Sequence, residues 1–297
     1  MDVLRFLAAY RSPVLYTIFQ SATWIAQETL VVIIICWFYW CTNKKLAHIL
    51  GFTYFLSGLL VQTLKITFRI PRPWVLDPDF KAVESAIGGA TGYSFPSGHT
   101  QSGTALFSTL GFYLKNKGWK FLCFFLMCFI GFSRMYLGVH TPKDVLVSMV
   151  LTLAISFIVY YRLAPKFEQT DSVKILSLGL LVICILVFLY AGILYFTNIA
   201  DPDMAVDAFK AGGAGLGFAA GYYIEQTYIR FSMPQTAKEK ALRFFAGLFS
   251  VVVLMIIFKL TIKKYLLGNV ISYFLLILWI VALYPAIFSH VSDRRAQ

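Results

Sequence analysis

Apolar residues occur in long runs along most of the chain, and short polar segments separate these runs. A run of about 20 apolar residues is long enough to cross the hydrocarbon core of a bilayer as a helix. Nine segments approach or reach this length, and we predict a membrane-crossing helix in each. The predicted crossings cover residues 24–41, 46–67, 97–114, 119–139, 142–161, 174–197, 206–229, 243–262 and 269–289. The pattern therefore predicts an all-α fold, a polytopic membrane helix bundle.

The chain begins with spaced rather than continuous apolar residues. Arg5 and Arg11 lie among them, and no continuous hydrophobic region with a small-residue cleavage site follows, as a secretory signal would require. We therefore predict an interfacial amphipathic helix over residues 1–23. A membrane core over residues 24–200 and a C-terminal transmembrane extension over residues 201–297 complete the predicted organisation.

The seventh predicted crossing is unusual because small residues dominate part of it. Residues 211–221 are mostly glycine and alanine, as in helices that pack closely inside a membrane. Lys210 and Glu225 also fall in this segment, so a half-buried or broken element is the alternative. Three aspartates lie at or near its start, and we interpret them as a solvated loop: Asp201, Asp203 and Asp207.

The composition supports a membrane protein and excludes a soluble enzyme. The chain is 59% hydrophobic and only 13% charged, whereas a soluble domain keeps about a quarter of its residues charged. The net charge of +12 arises from basic residues between apolar segments, so we expect no nucleic-acid partner. The five cysteines lie inside or at the ends of apolar runs without CxxC pairs, so we expect no redox chemistry and no cysteine-bound metal.

The alternation of the crossings predicts which loops share a side. The end of the second crossing, the start of the third and the junction of the fourth and fifth lie on one side, here called the site side. More of the remaining lysines and arginines fall on the opposite side, which is typical of cytoplasmic loops. We therefore expect a cell-membrane protein with its site side outside and its C-terminus in the cytoplasm. Short loops without Asn-X-Ser/Thr signals favour a bacterial source.

Three motifs with chemically useful side chains all fall on the site side. In chain order they are Lys65 with Arg72-Pro73, then Pro96-Ser97-Gly98-His99, then Ser133-Arg134 with His140 and Asp144. Because hydropathy alone brings them to one membrane face, we expect them to form one site.

The basic residues of these motifs suit a phosphate group. Lys65, Arg72 and Arg134 concentrate three positive charges, and a guanidinium group can hold two phosphate oxygens at once. Ser97 and Gly98 lie at a predicted helix start, where free backbone N–H groups add donors for an anion. Taken alone, Lys65 is better interpreted as extending to the membrane interface, as many lysines at helix ends do.

The two histidines of the motifs supply what phosphate-ester cleavage needs, a nucleophile and a proton donor. His140 and Asp144 are four residues apart, so on a helix they share a face. Asp144 could then accept a hydrogen bond from one ring nitrogen and leave the other free to attack phosphorus. Thr141 and Asp144 also match a helix-capping pattern, and both roles are compatible.

The three motifs resemble the type-2 phosphatidic acid phosphatase superfamily, whose pattern is K-x6-RP, PSGH and SR-x5-H-x3-D. Every fixed position of that pattern is present. The resemblance implies a six-helix phosphatase core, with about three extra C-terminal transmembrane helices here. It also implies a metal-independent phosphatase without a cofactor, which hydrolyses a lipid phosphate monoester or diphosphate through a phosphohistidine. By this resemblance His140 is the nucleophile, Asp144 orients it, His99 protonates the leaving oxygen, and the phosphate is held by Lys65, Arg72, Ser97, Gly98 and Arg134.

The resemblance leaves the substrate open. Undecaprenyl diphosphate, phosphatidylglycerophosphate, phosphatidic acid and a sphingoid phosphate all suit such a site, and so do phosphate-like anions such as vanadate. The alternatives are a soluble sugar-phosphate phosphatase of the glucose-6-phosphatase type, a haloperoxidase, and a transporter or binding protein that does not cleave lipid phosphates. We expect the loop of residues 75–92 to cover the pocket and govern selectivity. The C-terminal crossings could form a homodimer interface, a lipid channel or a scaffold.

Overall fold

The computed structural model describes the backbone of residues 1–296 and the side chains of residues 1–290. The last position of the predicted extension, Gln297, therefore lies outside the described residues. Within the described part the chain is helical and contains no strand, which confirms the predicted all-α class. The helices are α1 Asp2–Ala9, α2 Pro13–Ile25, α3 Glu28–Trp37, α4 Lys44–Phe68, α5 Pro73–Leu76, α6 Glu84–Ile87, α7 Gly98–Tyr113, α8 Lys117–Tyr136, α9 Pro142–Ile158, α10 Thr170–Phe196, α11 Pro202–Ile224, α12 Ala237–Thr261, α13 Leu266–Leu278 and α14 Tyr284–Ala296. Wider π-helical turns continue α3, α9, α11 and α13 over Phe38–Thr42, Val159–Leu163, Glu225–Ile229 and Trp279–Leu283.

A helix forms in each of the nine predicted crossings. Among the described residues, six helical stretches are long and apolar enough to cross a membrane, and the pair Pro13–Ile25 and Glu28–Thr42, bent by 50°, can form a seventh. These lengths and compositions make the chain a multi-span membrane protein.

The third predicted crossing, α7, is shorter and more polar than a membrane-spanning helix that faces lipid. It has 16 residues, and most of its side chains are buried, including the polar Thr100, Gln101 and Thr104. The helix packs against α3, α4, α8 and α9. Its polar side chains therefore face protein instead of lipid, which explains the modest hydropathy.

The seventh predicted crossing, α11, is a continuous buried helix. Its glycines allow close approach to α13, because a Cβ added at Gly213 would lie 2.5 Å from Val270 O and one at Gly221 would lie 2.8 Å from Val281 Cβ. The alternative of a broken element is therefore wrong for Pro202–Ile224. The loop interpretation is also wrong for Asp203 and Asp207, because both lie in α11, which begins at Pro202.

The N-terminal segment forms two helices, α1 and α2, where the sequence predicted one. Both pack against α8. Arg5 donates to Asp77 Oδ2 at 2.7 Å, and Arg11 donates to Lys81 O at 2.7 Å. These bonds attach the segment to the long loop between α4 and α7. Its location in the membrane interface stays a prediction.

The extension packs against the core mainly through α11. This helix contacts both α10 and α4 of the core, and α13 packs against α11. Buried Phe52, Cys184, Phe218, Tyr222 and Ile277 fill this interface. The extension is therefore packed into the same helix bundle as the site helices.

Candidate active site

The site-side ends of α4 and α7 enclose a cavity of about 330 Å³, here called the site cavity. Five of the predicted site residues line it: Lys65, Arg72, Gly98, His99 and His140. The other three, Ser97, Arg134 and Asp144, are buried behind its wall. The structure therefore brings all three motifs to one place, as the alternation of crossings predicts.

His140 is oriented by the first turn of α9. Thr141 caps this helix, and Asp144 completes the reciprocal capping box, which confirms the predicted capping pattern. Asp144 Oδ2 accepts hydrogen bonds from Thr141 N at 2.8 Å and Ser94 Oγ at 2.6 Å. The same oxygen lies 3.5 Å from His140 Nδ1. The carboxylate is thus fixed from two directions and faces one nitrogen of the imidazole.

The other nitrogen of His140 faces the cations. Its Nε2 lies 2.9 Å from Arg72 Nη1. Because a guanidinium group only donates, Nε2 is the acceptor, and the imidazole proton is assigned to Nδ1, on the side of Asp144. Nε2 therefore carries the lone pair that a nucleophile needs.

His140 is 1% exposed, and burial lowers the pKa of its imidazole well below the usual value. The positive charges of Arg72, Arg134 and Lys65 lower the pKa further. The imidazole is therefore neutral near pH 7, which is the form that can attack phosphorus.

Main-chain carbonyl groups of the loop before α7 bind two cations, Lys65 near the end of α4 and Arg72 in the turn that follows α4. Arg72 donates to Gly92 O at 3.1 Å and also to Thr91 O. Lys65 Nζ donates to Tyr93 O at 2.7 Å. The predicted covering loop of residues 75–92 thus reaches the cations directly, while its role in selectivity stays a prediction.

Arg134 is the most deeply buried cation of the site. It is 1% exposed, and its Nη1 donates to Thr23 Oγ1 at 3.2 Å. Its Nε and Nη2 have no hydrogen-bond partner among the described residues. Buried unpaired donors are costly, and a bound anion would relieve that cost.

The start of α7 supplies both a cap and an open backbone. Ser97 Oγ accepts from Thr100 N and Thr100 Oγ1, and Ser97 N donates to Asp144 O at 3.1 Å. The Ser97 side chain is thus occupied in capping. A Cβ added at Gly98 would meet nothing within 4 Å, so open space lies directly against this backbone. The first amides of the helix have no intrahelical acceptor and can therefore donate to an anion there.

The site cavity contains residues that the sequence analysis missed. Asp207 and Lys210 of α11 line it, with Nζ–Oδ1 at 2.9 Å, and so do Glu28 of α3 and Tyr273 of α13. Ser94 was also missed, although it fixes Asp144. The only signal for Ser94 was its position in the loop just before the second motif. No motif covers α11 or α13, so the sequence contained no signal for Asp207, Lys210 or Tyr273.

The described residues contain no group of three or more His, Cys, Asp or Glu side chains arranged to hold a metal ion. The cationic and N–H donors of the site fit an anion by their chemistry. The arrangement therefore places cationic and N–H donors beside a neutral, oriented imidazole.

Comparison with known proteins gives the family. The PAP2 superfamily model matches residues 46–168, and the model described as PAP2 superfamily phosphatase, transmembrane extension, matches residues 209–294. Undecaprenyl-diphosphatase BcrC of Bacillus subtilis (strain 168) is 32% identical over 133 residues, which are 44% of this chain and 65% of that protein. Sphingosine-1-phosphate phosphatase 1 of Mus musculus is 27% identical over 224 residues, which are 72% of this chain and 49% of that protein.

The alignments thus span between about half and two thirds of these relatives. The crystal structure of Aquifex aeolicus LpxE is similar with a TM-score of 0.47 and 25% identity, covering 53% of this chain and 92% of that one. The PAP2 domain and its transmembrane extension occur here in order, and the first spans the three motifs. The resemblance seen in those motifs is confirmed, and the chain belongs to the PAP2 superfamily.

Proposed function

We propose that this protein is a membrane phosphatase that hydrolyses a lipid phosphate monoester or diphosphate through a phosphohistidine on His140. The proposal rests on the contacts of one imidazole, that of His140. Its Nδ1 faces the fixed carboxylate of Asp144, and its Nε2 faces Arg72 at the wall of the site cavity. A protein that only binds phosphate needs the cations but has no use for this oriented nucleophile.

In the first step His140 Nε2 attacks phosphorus, and the bond from phosphorus to the leaving oxygen breaks. His99, which lines the same cavity, donates its proton to that oxygen. The phosphate dianion offsets the charges of the nearby cations and so favours the protonated form of His99. Asp144 stabilises the positive charge that develops on His140.

In the second step a water molecule attacks the phosphohistidine, and the Nε2–phosphorus bond breaks. His99, now neutral, takes a proton from that water. Inorganic phosphate leaves, and both histidines return to their starting protonation states. Lys65 and Arg72 hold the phosphoryl oxygens through both steps, and the charge of Arg134 behind the cavity wall stabilises them.

Lipid substrates are supported by the surroundings of the site and by the relatives. The cavity lies within a multi-span bundle, next to helices whose outer faces are apolar. The two relatives described above are named for a prenyl diphosphate and a sphingoid phosphate. We further propose that the site faces outside the cell and that catalysis needs no metal, because protein cations supply the charge around phosphate. Vanadate, which resembles the phosphoryl group in shape and charge, is expected to inhibit.

Phosphate release from purified protein in EDTA tests the proposal. A panel of undecaprenyl diphosphate, phosphatidic acid, a sphingoid phosphate and glucose 6-phosphate is offered to the wild type, to His140→Ala and to His290→Ala. His290 is exposed at the far end of the described side chains, so it is a matched control. We expect release from at least one lipid by the wild type and His290→Ala, and none by His140→Ala.

Each contrary result supports a different alternative. Phosphate release from glucose 6-phosphate alone would favour a phosphatase that acts on a soluble sugar phosphate. Lipid binding without phosphate release would favour a transporter. Equal release by His140→Ala would remove the mechanism.

A further inference from the structure

Three consecutive carbonyl groups in the loop before α7 bind two of the site cations. Thr91 O and Gly92 O accept hydrogen bonds from Arg72. Tyr93 O accepts one from Lys65. Gly92 has a φ of +66°, a left-handed conformation that glycine adopts without strain. The positions of both cations therefore depend on the position of this turn.

The C-terminal extension is hydrogen-bonded to the same turn at two points. Asp207 Oδ2, in α11, accepts a hydrogen bond from Thr91 Oγ1 at 2.9 Å. Asp201 N, just before α11, donates to Tyr93 Oη at 3.1 Å. The turn is thus joined on one side to the site cations and on the other to a helix of the extension.

Asp207 is itself held in place, so it can serve as a fixed acceptor. Its Oδ1 pairs with Lys210 Nζ at 2.9 Å, and its Oδ2 receives the bond from Thr91. A buried apolar cluster anchors α11 against α4, and it includes Ala205, Ala208 and Phe209 of α11 with Ile66 of α4. The helix therefore forms a firm support for the turn.

We propose that Asp207 and Thr91 are a positioning pair, through which the C-terminal extension orients Arg72 for phosphate binding. This proposal rests on the proposed function, and it gives the extension the role of a scaffold for the site. The bond from Thr91 Oγ1 to Asp207 fixes the residue whose carbonyl oxygen binds the guanidinium group. Arg72 Nη1 also lies 2.9 Å from His140 Nε2. Movement of the turn would therefore displace the cation from the phosphate and from the nucleophile together.

The charge of Asp207 acts in the opposite direction to this positioning role. A carboxylate beside the site repels a phosphate dianion, so loss of that charge alone should strengthen anion binding. Thr91→Val leaves every charge in place and removes only the hydroxyl group that donates to Asp207. This variant therefore separates the effect of the hydrogen bond from the effect of the charge.

Two measurements on purified protein in detergent micelles test the proposal: the dissociation constant of vanadate, and kcat/KM for the lipid phosphate that the wild type hydrolyses. Thr91→Val should weaken vanadate binding and lower kcat/KM by about tenfold or more, because small displacements of binding groups are costly. Thr91→Ser keeps the donor and should stay within about twofold of the wild type. A role in folding alone would reduce the amount of active protein and leave the dissociation constant unchanged.

Thr197→Val is the matched control for the loss of a hydroxyl group. Thr197 is exposed after the last turn of α10, and its Oγ1 donates to Ile193 O of the same helix. This variant should keep the wild-type dissociation constant and kcat/KM.

A double variant tests whether Asp207 acts through the same bond. When Thr91 is already valine, Asp207→Ala has no hydrogen bond to Thr91 left to remove. The double variant should therefore bind vanadate no more weakly than Thr91→Val alone. Further weakening in the double variant would overturn the pairing of the two side chains.

A wild-type dissociation constant and kcat/KM in Thr91→Val would overturn the proposal, and so would equal losses in Thr91→Val and Thr91→Ser. If Thr91→Val does not fold, Thr91→Ala is judged by the same measurements. Absence of phosphate release by the wild type would count against the proposed function, while the vanadate dissociation constants would still decide the proposal. A wild type that neither releases phosphate nor binds vanadate would overturn both.

Discussion

Replacing Gly138 with alanine tests whether the turn before His140 builds the site. Gly138 has a φ of +77°, a conformation that costs other residues about 1–2 kcal/mol. An added Cβ would lie 2.6 Å from Arg11 Nη2 and 2.9 Å from the ring of buried Phe80. Overpacking of this kind costs about 1–3 kcal/mol. We therefore expect Gly138→Ala to lose roughly 2–5 kcal/mol of unfolding free energy, the sum of the two.

The same substitution is expected to reduce turnover. Val139, the next residue, donates to Arg134 O at 3.1 Å and accepts from Arg72 through its carbonyl oxygen. Movement of this turn therefore shifts His140 and both arginines together. A displacement near 1 Å can cost about 10²-fold in rate, and we expect a decrease in kcat of that order.

Gly179→Ala is the matched control, because a Cβ added at Gly179 in α10 meets nothing within 4 Å. Alanine favours a helix over glycine by up to about 1 kcal/mol, so this variant should melt at or above the wild-type temperature and keep its kcat. Thermal unfolding in detergent micelles and phosphate release measure the two effects. Equal melting temperatures and equal kcat values for Gly138→Ala and Gly179→Ala would show that the turn at Gly138 does not position His140.

Three further predictions concern charged groups. Asp144→Asn should decrease kcat by roughly 10²–10⁴-fold, because an amide no longer stabilises the His140 cation; a near-normal kcat would show that Asp144 only caps α9. Burial lowers the pKa of His140 below its unfolded value near 6.5, so the unfolded state binds more protons in acid. The free energy of unfolding should therefore fall between pH 7 and 5 more steeply for the wild type than for His140→Asn, and equal slopes would contradict this. Glu225 is 0% exposed and pairs with Lys44 at 2.7 Å, so Glu225→Ala should cost about 3–5 kcal/mol. In contrast, Glu168→Ala in an exposed pair should cost less than about 1 kcal/mol, and similar unfolding temperatures for both variants would disprove this.

The sequence predicts those features that depend on local spacing. The motif residues come together because alternating crossings return the chain to one membrane face. The capping box of Thr141 and Asp144 is local as well, since it needs only three residues of spacing. The helices lie close to the predicted apolar segments because the length of an apolar run is also a local property of the sequence.

Other features depend on which helices pack together, and hydropathy does not specify that. Asp207 reaches Thr91 across 116 residues of sequence because small residues let α11 pack closely within the bundle. Asp203 and Asp207 therefore resembled a solvated loop, although both lie in that helix. The carbonyl groups that hold Arg72 and Lys65 were also beyond prediction, because every residue has such a group and only the loop conformation selects these.

The roles of Ser97 and Arg134 show a third limit. Both belong to motifs, yet both are buried behind the wall of the site cavity. Ser97 caps α7, while Arg134 has two unpartnered nitrogens among the described residues. A motif thus predicts that a residue belongs to a site, and the packing decides what its side chain contacts.

In the proposed reaction His140 becomes covalently phosphorylated during turnover. Rapid mixing with a lipid phosphate labelled on phosphorus, a quench at alkaline pH that preserves phosphohistidine, and peptide mapping by mass spectrometry would detect this intermediate. We expect the label on His140 in the wild type within the first turnover and none on any residue of His140→Ala. Phosphate release by the wild type without such a label, or with the label on another residue, would show that His140 is not the nucleophile.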